Sequence, residues 1–167
     1  GRGESVMLDL GANVECDENN LVQFAIMGAA FARTVLGVVK PTVAILNVGV
    51  EELKGSDVIK DADKLLREAN IPMDYKGFTE GHGLGGGEVD VVVTDGFTGN
   101  IALKTAEGTA KMIANLLKRS LMDSIMSKIG ALFARSSLQS LKNHLDPNNH
   151  NGAVFMGLNG LVIKSHG

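Results

Sequence analysis

Runs of apolar residues alternate with polar stretches along this chain, and the two kinds of periodicity take turns. Residues 5–10 read as a buried strand, followed by a polar loop over 11–17. Asp17 is placed to cap a helix in which Leu21, Val22, Phe24, Ala25, Ile26, Met27 and Ala29 leave almost no polar face, so burial on all sides is expected. Gly37 closes that helix. Pro41 introduces a second strand over 42–48, and Ser56 caps a second helix with Val58, Ile59, Ala62, Leu65 and Leu66 on one face. Residues 73–79 suit a strand at a sheet edge. A glycine-rich loop over 81–87 leads to the plainest strand, 89–94, and the turn 95–100 leads into a helix expected to begin near Ile101. No proline interrupts the chain from Ile101 to Leu145, which predicts two helices in a hairpin with its bend between Asp123 and Ser137. Short strands over 153–156 and 161–164 close the pattern. Strands alternating with helices predict an α/β fold: a Rossmann-like, mainly parallel sheet flanked by helices, with a protruding helical hairpin over 101–145.

Composition narrows the class. Of the 167 residues, 44% are hydrophobic and 21% charged, which suits a folded globular domain. With six Phe, one Tyr and no Trp, the core has to be built from aliphatic side chains. The single Cys16 excludes an internal disulfide framework and suits a reducing compartment, so a cytoplasmic location is expected. No apolar run is long enough for a membrane span, and the first residues have no signal-peptide zones. The absence of a starting Met and the abrupt end after a strand predict an internal piece of a longer protein, a single incomplete α/β domain over 1–167.

A net charge of −3 argues against nucleic acid as a partner, but the charge is unevenly placed. Residues 108–144 hold six basic residues against one acidic, a net +5, which leaves −8 on the rest. In the same segment Met112, Ile113, Leu116, Leu117, Leu121, Met122, Ile125, Met126, Ile129, Leu132 and Phe133 form a wide apolar stripe at helical spacing. The stripe suits core or dimer packing; with its basic neighbours it also suits reversible contact with an anionic membrane through 112–137.

In an open α/β sheet, ligands gather at the carboxyl ends of the strands. Three loops fall there. The first holds Asp9, Gly11 and Asn13; the second Asn47, Glu51, Glu52 and Lys54; the third Asp95, Gly96, Thr98, Gly99 and Asn100, with Lys104 one turn into the helix. Glycine lets backbone N–H groups approach a ligand, and a helix start adds unpaired donors and a positive dipole end, so the chemistry favoured is binding of an anion such as phosphate. Asx turns and helix capping account for the same polar residues without a ligand, and both readings stay open at this point. No dinucleotide or phosphate-loop fingerprint is present. The histidines share no metal-ligand spacing with one another or with Cys16, so neither a metal nor a cofactor is expected.

The runs LDLGANVECD (8–17), LVQFAIMG (21–28), LNVGVEELKGSD (46–57), DVVVTDGFTGNIALKTAEG (90–108) and NGAVFMGLNGLVIKSHG (151–167) resemble the bacterial phosphate acyltransferase family, also called PlsX, in that family's order and over nearly the whole chain. The combination of DGFTGNIALKT with IKSHG is specific. The family is longer at both ends, and it usually carries an acidic residue where Val50 stands.

The resemblance implies an isocitrate/isopropylmalate dehydrogenase-like architecture, a homodimer, and attack of inorganic phosphate on the thioester of an acyl-acyl carrier protein. The acyl-phosphate product would pass to a membrane glycerol-phosphate acyltransferase in phospholipid synthesis, with the fragment inactive by itself. For that reaction Gly96, Thr98, Gly99 and Asn100 are expected to hold phosphate and Lys104 to supply charge. Asp9 or Asp95 would orient the site or accept a proton, Gly11, Asn13, Asn47 and Lys54 would line it, and Lys164 and His166 would border it. Three rival readings are a non-catalytic α/β phosphate- or nucleotide-binding module, an isopropylmalate-dehydrogenase-type oxidoreductase, for which no convincing carboxylate cluster is seen, and a purely structural docking segment.

Overall fold

The computed structural model describes residues 5–145 and 153–164. Two compact units divide the chain, Gly1–Leu103 and Lys104–Gly167.

The first unit is built on four parallel strands, β1 (Val6–Leu8), β2 (Thr42–Leu46), β3 (Asp74–Thr79) and β4 (Val91–Val93), in the order β1-β4-β2-β3. The first and last of these strands in the sequence are thus paired with each other: β4 lies between β1 and β2, and β3 takes an edge, as its polar sequence predicts. Each inner strand is a short β-branched or aliphatic run, and Val43, Ala44, Ile45, Val91, Val92 and Val93 are all fully buried or nearly so.

Helix α1 (Glu18–Val35) packs against β1, β2 and β4, and α2 (Asp57–Glu68) against β3 and α1. Asp17 and Asn20 form a reciprocal capping box at the start of α1: the Asp17 carboxylate accepts the Asn20 N–H at 2.8 Å, and the Asp17 N–H donates to Asn20 Oδ1 at 3.0 Å. The expectation that α1 is buried on all sides is corrected. Leu21, Phe24, Ala25, Gly28, Ala29 and Ala32 face inward, while Ile26 and Val35 are exposed. Small residues make the inward face, and a Cβ on Gly28 would come within 2.8 Å of Leu8 Cδ2, so helix and sheet approach closely there. The opposite face of the sheet, at Ala44 and Val92, is met by Leu84 from a 3-10 helix, Gly81–Gly85. The glycine-rich run is therefore the short connection from β3 to β4, and its exposed His82 stands 3.7 Å from Glu80.

Helix α3 (Gly96–Met122) starts five residues before the expected Ile101 and runs into the second unit. Gly, Thr and Asn have weak helix propensity, which hides its first turn in the sequence. The helical segment is broken twice, so α3 is followed by α4 (Ile125–Phe133), capped by Ser124, and α5 (Arg135–Leu145). Most of the apolar stripe of this unit is exposed on the chain: Ile125 is 78%, Met126 77% and Phe133 86% exposed, while Leu117 and Leu121 are half-buried. Strands β5 (Ala153–Phe155) and β6 (Val162–Lys164) form a separate antiparallel pair. Among the described residues no helix is long and apolar enough to cross a membrane.

Candidate functional site

Because the four strands of the first unit are parallel, their carboxyl ends share one edge. The neighbours β1 and β4 bring residues 9–13 and 94–100 together there. The ladder continues one step past the strands: the Asp9 N–H donates to Thr94 O and the Thr94 N–H to Leu8 O, each at 2.8 Å. Thr94, which the sequence reading does not single out, is buried at this junction.

Asp9 is buried, and its carboxylate organises the loop that follows it. Oδ1 accepts the N–H groups of Gly11 and Ala12, both at 3.0 Å; Oδ2 accepts the Asn13 N–H at 2.6 Å and the Asn13 side-chain amide at 2.8 Å. Gly11, at φ +127°, makes the curl possible. Burial by itself would raise the Asp9 carboxyl. The donors from Ala12, the Asn13 side chain, the Asn13 backbone and Gly11 outweigh it and hold the group below the ordinary carboxylate value of 3.8. A depressed folded-state value stabilises the fold fully above the unfolded-state value, and that contribution is lost as pH falls through the folded one. The stability gap between wild type and Asp9→Asn should therefore be constant near neutrality and narrow as urea titrations are taken from about pH 6 to about pH 3. A gap that does not change with pH would contradict this.

The same loop seats the start of α3. The Asn13 carbonyl accepts the Gly96 N–H at 2.8 Å and the Cys16 thiol at 3.5 Å. A Cβ on Gly96 would fall 2.6 Å from that carbonyl oxygen, and one on Gly99 would collide with the Asp9 carbonyl. Asp95 caps the helix: Oδ1 accepts the Thr98 N–H at 2.8 Å and Oδ2 the Thr98 hydroxyl at 2.7 Å. Three donors of the first turn are thus engaged within the protein, those of Gly96, Thr98 and Gly99, the last donating to Asp95 O at 2.9 Å. Asn100 is exposed, and its amide nitrogen lies against Gly11, 2.9 Å from where a Cβ on that glycine would stand. Burial and then the negative charges of Asp9, Asp95 and Asp17 push the Cys16 thiol up, against the lowering influence of the Gly96 N–H.

Asn47, at the end of β2, is buried and shapes its own loop. Its amide donates to Lys54 O at 3.0 Å and its Oδ1 accepts the Val48 N–H at 2.8 Å. Lys54 pairs with Glu51 at 2.9 Å on the exposed loop surface; their mutual hydrogen bond raises the lysine and lowers the glutamate. Lys104 lies on α3 in the second unit, 3.0 Å from Glu107. Lys164 is exposed at the end of β6, and His166 lies outside the described residues. The structure therefore brings Asp9, Gly11, Asn13, Asp95, Gly96, Thr98, Gly99 and Asn100 into one group.

Known proteins match the chain throughout. The model of the family described as "Fatty acid synthesis protein" matches residues 1–167. The chain is 55% identical over 166 residues to the phosphate acyltransferase of Paramagnetospirillum magneticum, covering 99% of this chain and 47% of that one. Identity is 57% to the phosphate acyltransferase of Rhodospirillum centenum, with 99% and 47% covered, and 55% to that of Rhizobium etli, with 99% and 48% covered. The chain spans about half the length of these relatives. It belongs to the fatty acid synthesis protein family, the phosphate acyltransferase family that its motifs resemble.

Proposed function

We propose that the full-length protein forms acyl-phosphate from an acyl-acyl carrier protein and inorganic phosphate, for phospholipid synthesis, and that this chain carries one part of the active site. The observation behind this reading is an identity of 55–57% over 99% of the chain to proteins named phosphate acyltransferase. In the reaction a phosphate oxygen attacks the thioester carbonyl carbon. The tetrahedral intermediate then collapses, the C–O bond stays, the C–S bond breaks, and its electron pair leaves on the carrier thiol, which takes up a proton. Phosphate is itself the nucleophile, so no covalent Ser or Cys intermediate is required. What the protein has to supply is a held anion and donors for the developing oxyanion.

Residues 96–100, seated on 9–13 at the carboxyl edge of the sheet, suit the anion. The exposed Asn100 amide is the donor we assign to it, aided by the positive end of α3. In the full-length protein, Asn100→Ala should lower acyl-phosphate formation about tenfold or more, as loss of one oxyanion or phosphate donor does. Lys104→Ala, made separately, tests the charge assigned to that residue. Turnover unchanged in both would remove these roles, and no phosphate-dependent loss of thioester by wild type would remove the proposed reaction.

The finer partners belong to the same proposal: a homodimer, and peripheral contact with an anionic membrane through residues 112–137 close to the enzyme that consumes the product. The exposed apolar residues of α3 and α4, beside Lys111, Lys118, Arg119 and Lys128, support it. Full-length protein should float with anionic liposomes at low salt and less so at high salt. Protein that stays at the bottom at low salt counts against membrane contact.

A further inference from the structure

Two contacts hold the first turn of α3 to the end of β1, and both come from the loop that one buried carboxylate shapes. Asp9 gathers the N–H groups of Gly11, Ala12 and Asn13 and the Asn13 side chain, so its acceptor directions are filled by the protein itself. This fixes the Asn13 carbonyl, which holds Gly96 and Cys16, and the Asp9 carbonyl, against which Gly99 is packed. Asn100 is one residue beyond Gly99 and is set over Gly11 by the same contacts.

We propose that Asp9 is a positioning residue, a latch that acts through the Asn13 carbonyl to hold the start of α3, and with it Asn100, at the carboxyl end of β1. As far as catalysis is concerned this rests on the reading above; the latch itself does not. A group that already accepts four hydrogen bonds and is held ionised by them is poorly placed to take a proton from a reacting group, but well placed to fix a backbone. Asp95 and Asp17 are the other carboxylates near Cys16. Asp95 is engaged with Thr98 and Asp17 with Asn20, each at a helix start, so neither replaces Asp9 in this loop.

Cys16 makes the latch measurable, because its thiol donates to the carbonyl that holds Gly96. In the full-length protein the limiting alkylation rate of the fully ionised Cys16 thiolate by iodoacetamide, taken from a rate–pH profile so that shifts of the thiol caused by Asp9 or by the Gly96 N–H drop out, and followed by peptide mass spectrometry, reads whether that junction is closed over Cys16. Asp9→Ala should raise the rate about tenfold, as expected for loss of charge-assisted bonds. Asp9→Asn keeps an oxygen for Gly11 and Ala12 but offers N–H to the donors of Asn13, so its rate should fall between wild type and Asp9→Ala. Gly96→Ala, which wedges the same junction without touching Asp9, should also raise the rate, and it carries the test if Asp9→Ala does not fold.

Turnover separates positioning from proton transfer. A latch predicts that Asp9→Asn recovers a large part of what Asp9→Ala loses. Equal loss in both, with Cys16 reactivity at the wild-type rate, would identify a proton acceptor and overturn the proposal. Folded Asp9→Ala and Gly96→Ala proteins with wild-type thiol reactivity would overturn it as well. If the wild-type protein forms no acyl-phosphate, the proposed reaction fails while the alkylation rates still decide the latch.

Discussion

Replacing Gly99 by alanine should destabilise the first unit by about 3 kcal/mol, near the upper end for forced overpacking. The added Cβ would run into the Asp9 carbonyl oxygen and lie 2.9 Å from Thr94 Cγ2. Both obstacles are fixed: one is backbone, the other belongs to a side chain that is 3% exposed. The clash can be relieved only by moving the start of α3 away from β1, which breaks the Gly96–Asn13 hydrogen bond and displaces Asn100. Stability and turnover should therefore fall together, whereas Gly108→Ala, on the same helix with open space around it, should leave stability unchanged or slightly raised. Urea titrations of the two variants compare them directly. A Gly99→Ala midpoint equal to that of wild type would mean that the helix start is not seated as described.

The second large effect is expected far from the candidate site. Asp63 on α2 is buried; its carboxylate accepts the Arg67 Nε–H at 2.8 Å and the Tyr75 hydroxyl at 2.7 Å. Tyr75 belongs to the edge strand β3, and the Arg67 guanidinium lies 5.8 Å from the centre of its ring. Burial, and then the Asp63 hydrogen bond and charge, push the Tyr75 phenol far up, so it remains a donor throughout the physiological range. Asp63→Ala leaves that hydroxyl without its acceptor and Arg67 without its closest partner. Arg67 is half-exposed and rehydrates, which limits the cost; the partly buried phenol does so less readily, and about 2 kcal/mol is expected. Tyr75→Phe should cost about 1 kcal/mol, and the double variant should be less destabilised than the sum of the two. Additivity within error would show that the two residues do not share one interaction.

Local chemistry and periodicity in the sequence were enough for the α/β class. Asp17 and Ser56 mark the starts of α1 and α2 through side-chain oxygens acting on N–H groups three residues away, and Gly37 marks an end by its positive φ. Pro41 precedes β2, and unbroken aliphatic runs mark the strands buried on both faces. The motifs that carry the family likeness are readable in the same way, because each lies within one short stretch.

The order of the strands was decided only in three dimensions. That β4 inserts between β1 and β2 depends on hydrogen bonds between residues about 50 to 85 positions apart, for which no local pattern codes. The start of α3 depends on the same placement. Gly96, Thr98, Gly99 and Asn100 are poor helix formers, and they become a first turn because Asp95 caps them and Asn13 and Asp9 receive them. The sequence marked Asp9, Asp95 and Asn100 as polar residues near glycines, and left turn-making and anion binding both open. Tertiary packing separated these roles: it turned the Asp9 carboxylate inward onto its own loop, set Asp95 on Thr98, and left the Asn100 amide exposed at the carboxyl edge of the sheet.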